Sequence, residues 1–328
     1  MPDARAALVI TDAGPVLDAD GLPAPGPGEV RLRVSVALVT GLERSAARGL
    51  AGFRGVPGHA FVGTVDAVGS GVDPRLEGTR AVPAPLAWCG RCDRCRGGLR
   101  EHCAARTVLG LERRDGGLAT HAVVPATSLA PVPDGVDDEV AVFAAPLGSA
   151  MAARRQVPVA SRGYVTVLGD GTLGLLAAQV LAPMNASVRL LGRSSAKLAL
   201  CERWGIRHRH VDDVGRRGDQ DVVVECTGRE EGLELAALLC RPRGTIVLKS
   251  LVPPPERIAP GARLDPAVIG ERTVVGSFLG PIDEALRLLA GGAVDVLPLV
   301  ETRVRLDAVP RILAAPRPPG TRAVIVRP

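Results

Sequence analysis

Tyr164-Val165-Thr166-Val167-Leu168-Gly169-Asp170-Gly171-Thr172-Leu173-Gly174 is the stretch that decides the architecture. Five residues of buried-strand character run directly into a G-x-G-x-x-G turn, and the turn opens an apolar helix over residues 173–181. The first glycine permits the tight turn, the second lets a pyrophosphate approach the backbone, and the third lets helix pack on strand. Phosphate charge then meets the helix N-terminus. Among 39 glycines a bare match carries little; the strand before it and the helix after it give it weight.

Outward from this turn the pattern repeats. A strand at 188–191 leads to a helix at 196–204, a strand at 221–225 leads to a helix at 233–239, and 244–248 reads as another strand. Strands alternating with helices of this length predict an α/β fold with a doubly wound parallel sheet. The first third is different: it is rich in Gly and Pro, with short β-branched runs at 30–36, 61–68 and 122–124. Such runs, punctuated by turn residues, predict an irregular β domain. After the nucleotide-binding unit come a helix at 282–289 and a β-like run at 322–326. The expected division is 1–148 for the β domain, 149–277 for the nucleotide-binding unit, and 278–328 as a return to the β domain.

A length of 328 residues fits about two domains at roughly 150 residues each. The formal charge is +5, yet acidic residues are interleaved with the basic ones throughout, and aromatics are 2% of the chain. A nucleic-acid surface needs clustered basic stripes with aromatics between them, so nucleic acid is excluded as a partner. Only Lys197 and Lys249 are lysines among the 40 basic residues, and this Arg, Ala, Gly, Pro and Val excess looks like the codon bias of a GC-rich genome. No apolar run approaches the roughly 18 residues of a membrane span, and the start lacks the charged and apolar regions of a signal peptide. The expectation is a cytoplasmic protein acting on a small molecule.

At the end of the second strand the sequence reads Leu190-Leu191-Gly192-Arg193-Ser194. NAD sites carry an acid here for the ribose hydroxyls. Glycine followed by arginine, with Lys197 one turn on, instead accommodates a 2′-phosphate, which makes NADPH the expected cofactor. The competing reading makes Arg193 one more surface arginine. The expected contacts are Gly169, Asp170, Gly171, Thr172, Leu173, Gly174, Arg193, Ser194 and Lys197.

Four of the seven cysteines, Cys89, Cys92, Cys95 and Cys103, lie within fifteen residues. In a reducing compartment such spacing reads as a metal site before it reads as disulfides. Four thiolates close a tetrahedral shell around zinc and leave no position for substrate, so one structural zinc per chain is expected. Cys201, Cys226 and Cys240 read as structural.

The four-cysteine lobe, the segment from Gly55 through Gly58-His59 to Gly63, the GDGTLG turn and the run Val224-Glu225-Cys226-Thr227-Gly228 occur in the order seen in zinc-type alcohol dehydrogenases. The chain thus resembles the medium-chain dehydrogenase/reductase superfamily. That resemblance implies a GroES-like β domain built from both ends of the chain, a Rossmann domain between them, further cofactor contacts at Cys226 and Thr227, and a homodimer joined through edge strands around 273–278.

The departures from the family are specific. Members with a catalytic zinc carry Cys-x-[Thr/Ser]-Asp, then Gly-His-Glu, then a further ligand before the nucleotide domain. Here the chain reads Thr40-Gly41-Leu42-Glu43, then Gly58-His59-Ala60, then Ala144-Ala145-Pro146. Only His59 remains of the ligands, and a catalytic zinc takes three protein ligands; an alternative zinc site from other residues is the competing reading. Leu42 stands where the family's hydroxyl relay would be. The resemblance leaves a dyad in which Glu43 supports His59, beside Thr40. A carboxylate-backed imidazole can donate a proton or anchor a substrate, and the competing reading is an inherited, inert scaffold.

Hydride transfer without zinc suits acceptors that delocalise the incoming charge themselves, such as enones and polyenes. The expected function is an NADPH-dependent reductase performing conjugate hydride addition. In a narrower form the chain resembles the reductive cyclases of bacterial polycyclic tetramate macrolactam pathways. The alternatives are an ordinary NAD(P)-dependent alcohol dehydrogenase, which would carry two zinc ions, and a noncatalytic nucleotide-binding protein.

Overall fold

The computed structural model describes residues 4–156, 163–184, 187–215, 217–251, 265–316 and 321–328. It divides into two compact units, Met1–Ala145 with Pro281–Pro316 and Ala323–Pro328, and Pro146–Gly280 with a short stretch that includes Thr321 and Arg322. These boundaries lie three residues from those read off the sequence. Thr321 and Arg322 group with the second unit, where the sequence reading placed them with the first.

The second unit contains β1 (Tyr164–Leu168), α1 (Thr172–Leu181), β2 (Ser187–Gly192), α2 (Ser195–Arg203), β3 (Arg207–His210), β4 (Gln220–Glu225), α3 (Glu230–Leu239), β5 (Cys240–Leu248) and β6 (Thr273–Gly276). The sheet order is β3-β2-β1-β4-β5-β6, and every pair is parallel. This is the order of a doubly wound dinucleotide-binding sheet. Strands covered on both faces are apolar without alternation, as Val165, Val167, Leu168, Val223, Val224, Ile246 and Val247 are here, all buried. Leu168 lies opposite both Leu191 and Glu225, Glu225 opposite Leu248, and Leu248 opposite Gly276. The register therefore aligns the carboxyl ends of five strands, and the residues that follow them share one edge.

Two strands differ from the sequence expectation. β5 begins at Cys240, four residues before its apolar run, because Cys240 pairs with Gln220 and the ladder resumes only at Thr245 opposite Val222, past an irregularity. β3 was not expected, since Arg207-His208-Arg209-His210 has no apolar signal. It is an edge strand paired to β2 alone, so it needs no buried face.

The first unit is built on a seven-stranded sheet. Its path runs Leu129–Pro131, Arg80–Pro83, Phe61–Val68, Glu29–Val39, Ala323–Arg327 and Val300–Arg305, with His121–Pro125 also paired to Glu29–Val39. Glu29–Val39 sends Val30, Leu32, Val34, Ala37 and Val39 into a core that also holds Leu8, Phe61, Leu118, Val309 and Val324. The tail strand Ala323–Arg327 runs antiparallel to Glu29–Val39 and parallel to Val300–Arg305. A separate sheet of three short strands, Leu86–Ala87, Thr107–Leu109 and Arg113–Arg114, flanks the clustered cysteines along the chain.

Candidate active and cofactor sites

Where Glu29–Val39 ends, Thr40 caps the helix Gly41–Ala47 through a capping box. The Thr40 hydroxyl accepts from Leu42 N at 3.1 Å, while Glu43 Oε2 accepts from Thr40 N and from the Thr40 hydroxyl, each at 2.8 Å. The other carboxylate oxygen, Oε1, lies 2.5 Å from His59 Nδ1 and accepts from His59 N at 3.4 Å. Thr40, Glu43 and His59 thus form one hydrogen-bonded network. Both Glu43 and His59 are buried. Burial by itself raises a carboxyl pKa, but the charge and hydrogen bond of His59 and the two Thr40 bonds outweigh it and hold Glu43 down at about 2. An ionised carboxylate on Nδ1 fixes the ring and leaves Nε2 as the atom able to meet a ligand.

The loop that delivers His59 is tightly constrained. Gly58 has φ +108, and a Cβ there would stand 2.7 Å from Leu118 N, so no larger residue fits. The Thr40 hydroxyl is committed to Glu43, and Ala60 and Ala145 are buried methyl groups.

Among the described residues, one group of His, Cys, Asp or Glu side chains is close enough to hold a metal. It is Cys89, Cys92, Cys95 and Cys103, whose sulfurs all lie within 4.8 Å of one another. Cys103 Sγ is 3.5 Å from Cys89 Sγ and 3.8 Å from Cys92 Sγ, so these are free thiols. Tetrahedral zinc with bonds of about 2.3 Å sets sulfurs ~3.8 Å apart, and the cluster has that size. The Cys92 thiol is lowered to about 6, chiefly by the backbone N–H of Cys95. A ready thiolate is what a loading zinc ion requires.

The glycine turn fits a dinucleotide. Gly169 has φ +113, and a Cβ there would lie 2.9 Å from the Cys226 carbonyl group; one on Gly174 would strike the Gly169 carbonyl oxygen. Gly171 faces open space, with nothing within 4 Å of where its Cβ would be. It is also the N-cap of α1 and supplies no side-chain cap, so the first-turn N–H groups remain for an anion. Thr172 is buried and Leu173 half-buried in that turn.

Asp170, expected among the cofactor contacts, points elsewhere. Its Oδ2 accepts from Arg193 N and Ser194 N, both at 2.8 Å, and Lys197 Nζ lies 3.8 Å from Oδ1. Lys197 is correspondingly buried, while the Arg193 side chain is exposed. This explains Gly192, because a Cβ there would come within 2.6 Å of Asp170 Cβ. At the end of β4, Cys226 N donates to Leu168 O at 2.8 Å, and Thr227 N and its hydroxyl both donate to Glu225 Oε1. Burial pushes both the Glu225 carboxyl and the Cys226 thiol up.

Two residues on this edge escaped the sequence reading. Lys249, just after β5, is buried and donates to Ser277 Oγ at 3.1 Å and to Phe278 O at 2.7 Å. Burial lowers its amine to about 8. Its signal was compositional: in a chain that otherwise uses arginine, both lysines are buried at the carboxyl edge of the sheet. The other is His210, which the apolar pattern could not locate because β3 has none.

Residues 26–134 match the alcohol dehydrogenase GroES-like domain and residues 172–291 match zinc-binding dehydrogenase. The chain belongs to the alcohol dehydrogenase-like medium-chain dehydrogenase/reductase family and is an NAD(P)-dependent oxidoreductase. It is 27% identical over 296 residues to 2-dehydro-3-deoxy-L-galactonate 5-dehydrogenase of Pseudoalteromonas atlantica, with 85% of each chain covered. It is 36% identical over 163 residues to the starvation-sensing protein RspB of Escherichia coli K12, a match spanning 49% of this chain and 48% of that one, about half of either. The crystal structure of a protein described as a zinc-binding dehydrogenase from Sinorhizobium meliloti 1021, bound to NADP, superposes with a TM-score of 0.87 at 27% identity, covering 99% of both chains. Among the described residues no helix is long and apolar enough to cross a membrane.

Proposed function

We propose that this chain is an NADPH-dependent reductase that works without a catalytic zinc and adds hydride to a conjugated acceptor of the enone or polyene type. The observation that carries the reading is the network of Thr40, Glu43 and His59. It presents one imidazole backed by a buried carboxylate, and the resemblance to zinc-type members sets buried Ala60 and Ala145 at positions where those members carry donor side chains. Bound NADPH supplies the hydride. As hydride adds to the β-carbon, the π electrons move onto the carbonyl oxygen, and the resulting enolate takes one proton. In this reading His59 Nε2 gives that proton, and Glu43 stabilises the imidazolium through Nδ1. Where the acceptor is a polyene with a second electrophilic carbon, the same carbanion closes a ring instead. NADPH is favoured by exposed Arg193 beside Ser194. The four cysteines hold one structural zinc. The edge strand β6, with Val274 exposed and Val268 and Ile269 beside it, joins two copies into a dimer.

The test is NADPH oxidation by the purified chain offered an enone, a conjugated polyenone or a secondary alcohol with NADP+. Oxidation that depends on the conjugated acceptor, persists in a chelator that spares the cysteine-bound zinc, and slows at least roughly 100-fold in His59→Ala is the expected result. Alcohol oxidation lost on metal removal would make the chain an ordinary alcohol dehydrogenase. Binding without turnover on any acceptor would make it noncatalytic.

A further inference from the structure

The turn after β2 is held from two sides by side chains of other elements. Asp170, in the glycine turn, accepts from the backbone N–H of Arg193 through Oδ2 at 2.8 Å. His210, at the end of β3, meets the carbonyl of that same residue: its Nε2 lies 3.2 Å from Arg193 O. His210 Nδ1 accepts from Asp212 N at 3.3 Å, which assigns the proton to Nε2 and makes that atom the donor. Both polar groups of the Arg193 backbone are thus fixed while its guanidinium stands exposed. Nothing in the fold of the sheet itself requires this, since β2 and β3 already pair up to Gly192 and His210.

We propose that Asp170 and His210 are positioning residues that clamp the backbone of Arg193 so that its guanidinium reads the 2′-phosphate of NADPH. The proposal rests on the NADPH reading given above and extends it. An arginine on a mobile turn would have to be ordered each time a phosphate binds, whereas one on a clamped turn is ordered beforehand, and preorganisation of that kind raises affinity without adding a contact. Asp170 can sit near a phosphate because its charge is already engaged. Oδ2 is occupied by two amides, and the buried ammonium of Lys197 lies beside Oδ1. The clamp also excludes the usual ribose acid. Any side chain at position 192 meets Asp170 Cβ, so a carboxylate at the end of β2 and a carboxylate clamping from the glycine turn cannot coexist.

The clamp is tested by calorimetric titration with 2′,5′-ADP and 5′-ADP, which isolate the adenosine corner from the nicotinamide. The full chain, Arg193→Ala, Asp170→Ala, Asp170→Asn and His210→Ala are compared, with circular dichroism as the check on folding. The full chain is expected to prefer 2′,5′-ADP, and Arg193→Ala to lose the preference. Asp170→Ala and His210→Ala should each cut it roughly tenfold while changing 5′-ADP affinity less than about threefold. Asp170→Asn keeps an oxygen for both amides and should retain most of the preference, which also serves if Asp170→Ala does not fold. No preference in the full chain overturns the NADPH reading itself. A preference that survives or rises in Asp170→Ala and His210→Ala, or an equal loss of both ligands, overturns the clamp alone.

Discussion

Glu43 is a carboxylate whose environment leaves it no freedom: one oxygen serves the backbone and hydroxyl of Thr40, the other serves His59. Its pKa in the fold is about 2 against an ordinary value of 4.5. The unfolded chain therefore takes up the proton first on acidification. Glu43's contribution to stability is full above about pH 4.5 and is lost as pH falls toward 2. Glu43→Gln should lower stability at pH 7 by about 3 kcal/mol, the scale for breaking a buried pair, and the gap to the unaltered chain should close as pH falls. Urea denaturation between pH 7 and pH 3 reads this directly, and a gap of constant size would mean the ionised Glu43 carboxylate is not its source. The pairing of Glu43 with His59 was legible through family resemblance. The commitment of the Thr40 hydroxyl to Glu43 was not, because it depends on a helix cap that closes only when residues 40–43 take up their dihedral angles.

At the scale of single elements, apolar strands and helices were legible and polar ones were not. β1, β2 and β4 are near-continuous Val and Leu runs and appear where expected, whereas β3 and the start of β5 are extended only because a neighbour offers hydrogen bonds. The cysteine lobe is a further case. Its strands are only two or three residues long. A zinc ion bound by the four cysteines would supply folding energy to such a lobe. Metal analysis should return one zinc per chain, and Cys103→Ser should remove it. Loss of zinc should make trypsin cut first among Arg91, Arg94, Arg96, Arg100 and Arg106, while 2′,5′-ADP binding continues. Cleavage elsewhere before the lobe, or a zinc-free lobe that resists trypsin, would show that the thiols alone suffice.

At the scale of the whole molecule, the return of the tail to the first unit could be expected from the completeness of the nucleotide unit near Gly276, but its position in the sheet could not. Ala323–Arg327 is an interior strand, between Glu29–Val39 and Val300–Arg305. Glu139 reinforces it, receiving Arg327 at 2.7 Å and Arg303 at 2.6 Å. A chain ending at Arg322 therefore leaves open edges on both neighbours and removes Val324, Ile325 and Val326 from burial. It should lose the first unit to proteolysis while the second still binds 2′,5′-ADP; survival of both would show that the strand closes the sheet without supporting it.

An interior strand drawn from residues 323–327 also imposes a schedule on synthesis. The residues of the second unit up to Gly280 leave the ribosome before that strand is made, and they can fold at once. The first 145 residues, although made earlier, wait with an unfilled slot in their sheet until the last strand arrives. The middle of this chain is thus the first part able to finish folding, and its two ends finish together.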